Sequence, residues 1–149
     1  IWTSRELGIQ TFISAQPHYS MLERNVEQEL IPFCGKYGVG ILPYFPLANG
    51  FLTGKYRKNS PPPEGSRLEA DNKGLFTEDN YALLEKLINF SEERGKTVLD
   101  LAFAWLLYNN DISSVIAGAT KPEQVISNAD AADWQLTDKE YEEVTQFLP

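Results

Sequence analysis

The amino-acid sequence predicts an α/β fold, a small parallel sheet covered by helices. Three observations carry this. Short apolar runs at residues 11–15, 39–44 and 114–116 alternate with stretches of helical periodicity. The runs read as continuous rather than half-polar, as expected of strands that helices cover. The helical stretches between them are long enough to serve as crossovers between parallel strands. At 149 residues, the chain has the length of about one domain.

Each element has a local reason. Residues 2–7 read as the end of a helix stopped by Gly8. Residues 11–15 give the first strand. Asn25 is expected to cap the next helix, with Gln28 three residues on; Val26, Leu30, Phe33, Cys34 and Tyr37 follow at helical spacing, and Gly38 ends it. Residues 39–44 give the second strand. Residues 50–74, with Pro61, Pro62, Pro63 and Gly65, are irregular. Loops this long are functional or mobile, the plainer alternative being a solvated linker. Thr77 caps a helix to about Arg94, with Tyr81, Leu84, Leu87, Ile88 and Ser91 on one side. Thr97 starts a helix so apolar (Val98, Leu99, Leu101, Ala102, Ala104, Trp105, Leu106) that it must lie between neighbours. The third strand, residues 114–116, runs through a Gly118 turn into a helix with an expected Thr120/Glu123 capping box and Pro122 in its first turn. Thr137 and Glu140 form a last capping box, for a helix reaching Phe147.

Three parallel strands leave two open edges and a small core, which is awkward as a complete fold and natural as a piece of a larger one. The start at Ile1 and the single methionine, Met21, point the same way, to a fragment or a processed product.

Composition narrows the function. Hydrophobic content of 42% and charged content of 23% are those of an ordinary globular domain. A sequence pI of about 4.6 argues against nucleic acid. No apolar run approaches the roughly 20 residues of a membrane span, and no N-terminal basic-then-apolar signal is visible. Cys34, the only cysteine, excludes an internal disulfide and reads as a small core residue; a cytoplasmic setting fits.

The chemistry concentrates at the ends of the strands. The helix start after Gly118 offers free backbone N–H groups and a positive dipole end, and Lys121 adds a full charge there. In a chain of net charge −8, that local positive spot suggests a phosphate ligand. Gln124 and Asn128 lie one helical turn apart and share a face. Gln16 closes the first strand with an amide able to donate and accept. Tyr44 ends the second with a flat ring able to stack. Residues 50–56 superficially suggest a nucleotide P-loop, but the glycine spacing is short by one and Tyr56 stands where Ser or Thr is required.

Three blocks also resemble one known family. Gln16-Pro17-His18-Tyr19-Ser20-Met21-Leu22-Glu23-Arg24 resembles the Gln-x-x-Tyr-(Ser/Asn)-x-Leu-x-Arg segment of aldo-keto reductases. The stretch from Leu42 to Tyr56, with Tyr44, Pro46, Leu47, Gly50, Leu52, Thr53, Gly54 and Lys55, resembles a second family segment. Gly118-Ala119-Thr120-Lys121-Pro122-Glu123-Gln124, followed by Asn128, resembles the segment that holds the cofactor phosphate. The blocks stand in the family's order across essentially the whole chain.

The resemblance implies a partial (β/α)8 TIM barrel: roughly its last three parallel strands with their helices, over residues 1–149. It implies NADP(H) as cofactor and hydride transfer to an aldehyde or ketone. Gln16 would hold the nicotinamide carboxamide and Tyr44 would stack on the ring. Leu47 and Gly50 would offer backbone N–H groups to the phosphates, with Lys55 assisting. Phe45 stands where many relatives have Ser, so a hydroxyl contact is lost. Gly118, Thr120 and Lys121 would take the 2′-phosphate, and Gln124 and Asn128 the adenosine end. Ser127 replaces a common Glu beside Asn128, removing an acidic contact. The family's Asp, Tyr, Lys and His tetrad has no counterpart here, so no residue is assigned to catalysis; the sole histidine, His18, is read as a polar residue at a strand end. Expected partners are a small carbonyl substrate and, for the open edges, the missing N-terminal half of the barrel or a second copy. The alternatives are a non-enzymatic NADPH-binding regulatory protein and an inactive truncated fragment.

Overall fold

A computed structural model describes residues 1–149. Its elements, in chain order, are α1 (Trp2–Leu7), β1 (Ser14–Ala15), a 3-10 turn at Asn25–Glu27, α2 (Leu30–Tyr37), β2 (Gly40–Ile41), a 3-10 segment at Ala48–Thr53, α3 (Glu78–Glu92), α4 (Val98–Leu107), α5 (Pro122–Asp130), a 3-10 turn at Ala131–Asp133, and α6 (Asp138–Thr145). No helix is long and apolar enough to cross a membrane.

The sheet is parallel, but only two of the three expected strands form as such. β1 pairs with β2 in the register Ser14 to Gly40 and Ala15 to Ile41. The third segment joins through isolated parallel bridges, Ile112 to Ile41 and Ile116 to Tyr44. Its partner advances three positions where it advances four, so one extra residue bulges out and the ladder breaks. Prolines shorten the ladder further. Pro17 and Pro43 have no N–H to donate, so beyond Ala15 and Ile41 the first two strands are held by Leu42 N–H to Ala15 O (2.9 Å), Tyr44 N–H to Pro17 O (3.0 Å) and a long Tyr19 N–H to Tyr44 O (3.4 Å).

Helix starts follow local capping where proline does not intervene. The Thr77 hydroxyl accepts from Asn80 N–H, and both Thr97/Asp100 and Thr137/Glu140 close full capping boxes. Two expected starts are corrected. A helix from Asn25 would carry Pro32 in its interior, where the ring meets the carbonyl four residues back. The chain instead makes a 3-10 turn at Asn25–Glu27 and restarts at Leu30, with Glu29 as N-cap and no side-chain cap; Gly38 (φ 66°) ends it. The Thr120/Glu123 box also fails. Pro122 is the first helical residue and forces Lys121 into extended backbone (φ −140°, ψ 148°), so Lys121 is the N-cap. The last helix ends at Thr145, two residues before Phe147.

The core lies between the sheet and the helices. α4 is buried as expected: Val98, Leu101, Ala102, Phe103, Ala104, Trp105 and Leu106 are all covered. α3 contributes Leu83, Leu84, Leu87, Ile88 and Phe90. Cys34 is fully buried, and burial followed by the nearby Asp111 charge raises its thiol pKa above the ordinary range. The opposite face of the sheet is open. Just before β1, Phe12 and Ile13 are 80% and 79% exposed.

Arg94 pins α3 to α6. Its Nε donates to Glu140 Oε1 (2.9 Å), its Nη1 donates to Phe90 O (2.8 Å), and the guanidinium stacks on the Phe90 ring at 3.6 Å. The Thr137 backbone N–H, then its hydroxyl, then Arg94 hold the Glu140 carboxyl below the ordinary carboxylate range. A carboxylate so lowered stabilises the fold above its unfolded pKa and ceases to do so as pH falls through its folded value. Glu140→Gln keeps an acceptor but loses the charge, and hydrogen bonds to charged groups exceed neutral ones by about 1 kcal/mol, so it is expected to lower the melting temperature by about 3 °C at pH 7. The gap should close as pH falls below about 4. Thermal melts of both proteins across pH 3–7 measure it, and a gap unchanged at pH 3 would remove Glu140 from this role.

Candidate functional site

Alternation along the strands sorts two faces. Ala15, Pro17, Ile41 and Pro43 turn toward the helices, and Ile41 is fully buried. Gln16, His18, Leu42 and Tyr44 therefore share the open face, with Gln16 exposed and the other three half-buried. Because all three segments run parallel, their C-terminal ends lie together. The turn from Gly118 to Lys121 leaves at the same end as Tyr44, through the Tyr44–Ile116 bridge.

At this end the chain after Tyr44 takes up strained backbone. Phe45 (φ 56°), Ala48 (φ 45°), Asn49 (φ 57°) and Gly50 (φ 90°) are all left-handed. Three of these carry side chains, each at a cost of about 1–2 kcal/mol, the kind of strain that accumulates at working loops. Phe45 is 41% exposed and packs edge-on to Tyr44 at 5.1 Å. Leu47 N–H has no acceptor in the chain, whereas Gly50 N–H donates to Leu47 O at 2.8 Å. Of the two phosphate donors expected here, Leu47 is thus free and Gly50 is engaged. Lys55 lies back across Gly50: a side-chain carbon at Gly50 would come within 3.5 Å of Lys55 Nζ.

The third segment delivers an exposed turn. Gly118, Thr120, Lys121 and Gln124 are exposed, and Asn128 is half-buried. Lys121 and Glu123 N–H groups have no acceptor in the chain. Gln124 does not extend along the helix face toward Asn128. Its Oε1 turns back and accepts from Thr120 N–H (2.7 Å) and the Thr120 hydroxyl (3.2 Å), filling the capping role expected of Glu123. Asn128 instead lines a groove of about 220 Å³ with Phe103, Val115, Ala117, Ala119 and Val125.

Most of residues 57–74 are exposed, but the loop is anchored to the fold. Tyr56 and Leu68 are 1% exposed, and Leu68 N–H donates to the Tyr56 hydroxyl at 3.2 Å. Arg57 and Lys58 pair with Glu85 and Glu78 of α3. The loop brings back a cation absent from the sequence-based set: the Arg67 guanidinium lies 5.7 Å from the Phe45 ring centre. Nothing in local periodicity marks Arg67; the only signal was the length of the loop itself.

Comparison with known proteins gives this geometry its relatives. The family model described as "Aldo/keto reductase family" matches residues 3–149. The chain belongs to the aldo/keto reductase family. The relatives include a probable voltage-gated potassium channel subunit beta from Oryza sativa subsp. japonica, 39% identical over 127 residues, covering 81% of this chain and 38% of the relative. The NADH-specific methylglyoxal reductase of Escherichia coli (strain K12) is 36% identical over 127 residues, covering 83% of this chain and 38% of the reductase. A solved glycerol dehydrogenase from Gluconobacter oxydans superimposes with a TM-score of 0.79 at 27% identity, covering 95% of this chain and 43% of that one. The chain thus spans about two fifths of the length of these aldo/keto reductase relatives.

Proposed function

We propose that this chain is the cofactor-binding portion of an NADPH-dependent aldo-keto reductase, the last three strands of a (β/α)8 barrel. The observation that carries this is the convergence, at one end of a parallel sheet, of Gln16, Tyr44, the strained turn with Leu47 and Lys55, and the exposed Lys121 turn. Parallel barrels gather their ligands at that end. The donor set suits the cofactor: a carboxamide partner, a stacking ring, backbone N–H groups at a helix start and exposed cations. The bound dinucleotide supplies the hydride. Gln16 holds the carboxamide, Tyr44 orients the ring, and Thr120 and Lys121 take the 2′-phosphate. Gly118 gives that turn its close approach. Phe45 and Lys55 flank the pyrophosphate with Leu47, and Asn128 lines the groove for the adenosine. Arg67 adds a cation on the same side as Phe45. Gly50 serves by leaving room for Lys55.

The open face and the apolar edge at Phe12 and Ile13 are surfaces that the remaining strands of a barrel would cover. The groups that protonate the carbonyl belong to those strands. The chain alone is therefore expected to bind NADP+ and to show no turnover with a panel of aldehydes and NADPH, read at 340 nm. Turnover by the chain alone would overturn the division of labour, and failure to bind NADP+ would overturn the cofactor reading.

One observation favours a second reading. Relatives from Oryza sativa and Arabidopsis thaliana, each 39% identical, are named as probable potassium channel beta subunits. On that reading the barrel binds NADPH while docked on a partner protein. Joining this chain to an upstream segment that carries the Asp, Tyr, Lys and His set, and finding turnover, would decide for the enzyme.

A further inference from the structure

We propose that His18 is a positioning residue for Tyr44, closing one face of its ring so that a single face remains for a planar ligand. The inference rests on the cofactor reading above and deepens it. His18 and Tyr44 are direct partners across the strands, joined by a parallel bridge. Their rings stack at 5.3 Å with an interplanar angle of 17°. That separation is close to the spacing of about 4.8 Å between neighbouring strands, so the rings stack along the direction that crosses the sheet. One face of Tyr44 is then spent on His18. The other turns toward the third segment, whose Ile116 bridges Tyr44 and is 40% exposed.

Phe45 locks the pair. Its left-handed backbone (φ 56°) reverses the chain immediately after Tyr44. Its ring then meets both neighbours nearly edge-on, at 5.1 Å and 73° to Tyr44 and at 5.6 Å and 82° to His18. The His18 ring makes no hydrogen bond, so its specific contacts are these two rings. It also lies on the open face with Gln16, outside the buried core. A tyrosine at a strand end otherwise samples several rotamers, and aromatic contacts of this kind bias such a choice several-fold.

The test separates the nicotinamide from the rest of the dinucleotide. Dissociation constants for NADP+ and for 2′-phospho-ADP-ribose, which lacks the nicotinamide, are measured by calorimetry on the whole chain and on His18→Ala, His18→Phe and Tyr44→Ala. His18→Ala should weaken NADP+ about fivefold and leave 2′-phospho-ADP-ribose within about twofold. His18→Phe, which keeps a ring, should restore NADP+, and Tyr44→Ala should match or exceed the loss in His18→Ala. An unchanged NADP+ constant in His18→Ala, or equal weakening of both ligands, overturns the role of His18 while leaving cofactor binding intact. If the unsubstituted chain binds neither ligand, the cofactor reading itself falls and His18 loses its role with it.

Discussion

Lys121→Glu is expected to lower affinity for NADP+ by about 100-fold while changing affinity for NAD+ by less than about threefold. A 2′-phosphate is a dianion, and on the proposed reading the Lys121 turn would offer it an ammonium, the Thr120 hydroxyl and unpaired N–H groups at Lys121 and Glu123. Hydrogen bonds to charged groups contribute about 1.5–3 kcal/mol, and each 1.4 kcal/mol is about tenfold in affinity. Charge reversal adds repulsion to the lost bond, which brings the total near the upper end. Lys121 is exposed, so the loss should shrink as salt rises from about 0.05 to 0.5 M. Isothermal titration with both dinucleotides at two salt concentrations measures this. Equal losses for NADP+ and NAD+ would place the 2′-phosphate elsewhere. The discrimination is worth measuring because a relative named as NADH-specific is 36% identical to this chain.

The parts of the fold legible in the sequence are those set by neighbours a few residues apart. Thr77, Thr97 and Thr137 each stand just before an apolar periodic run, and each accepts the cap hydrogen bond. α4 is apolar on nearly every side, which leaves it no stable position except the interior. Apart from the bulge that breaks the third strand, the misplaced helix starts and the short ladder share one cause, the backbone restriction of proline. Pro32 moved the start of α2 from Asn25 to Leu30, Pro122 moved the N-cap from Thr120 to Lys121, and Pro17 and Pro43 shortened the ladder. In each case the capping or strand pattern was real, but proline decided where it could act.

The placement of the candidate site residues was legible in a different way. The strand ends and the turn at Lys121 follow from parallel topology, so Gln16, Tyr44 and Lys121 emerge at one end once the strands pair. What stayed hidden depends on contacts distant in sequence or on exact torsions. Arg67 reaches Phe45 only because Tyr56 and Leu68 anchor the loop. Gly50 N–H is consumed by Leu47 O because four residues nearby adopt left-handed backbone. Gln124 turns back onto Thr120 because the helix begins one residue later than its capping pattern suggested. None of these could be read from residue type and spacing.

The largest stability effect is expected at Trp105. Its indole is 1% exposed and holds three separate parts of the chain together. The Nε1–H donates to Thr145 Oγ1 of α6 at 2.9 Å. The ring stacks on Tyr141 at 6.0 Å and tilts against Tyr19 at 5.5 Å, and the Arg24 guanidinium lies 5.5 Å from its centre. Tyr19 in turn donates to Glu27, and burial, followed by that hydrogen bond, raises its phenol pKa far above the ordinary range. Truncating a buried tryptophan to alanine costs about 3–5 kcal/mol through lost contacts and the cavity left behind. Whole domains are stable by only about 5–15 kcal/mol, and an open sheet face with an exposed Phe12–Ile13 edge argues for the low end of that range. Trp105→Ala is therefore expected to lower the melting temperature by about 12 °C or to abolish the cooperative transition. Trp105→Phe keeps an aromatic ring and loses the Thr145 bond, so its loss should be nearer 3–4 °C. Melts followed by near-ultraviolet circular dichroism separate the two variants. A shift under about 3 °C in Trp105→Ala would mean that α4 and α6 are not held together through this ring.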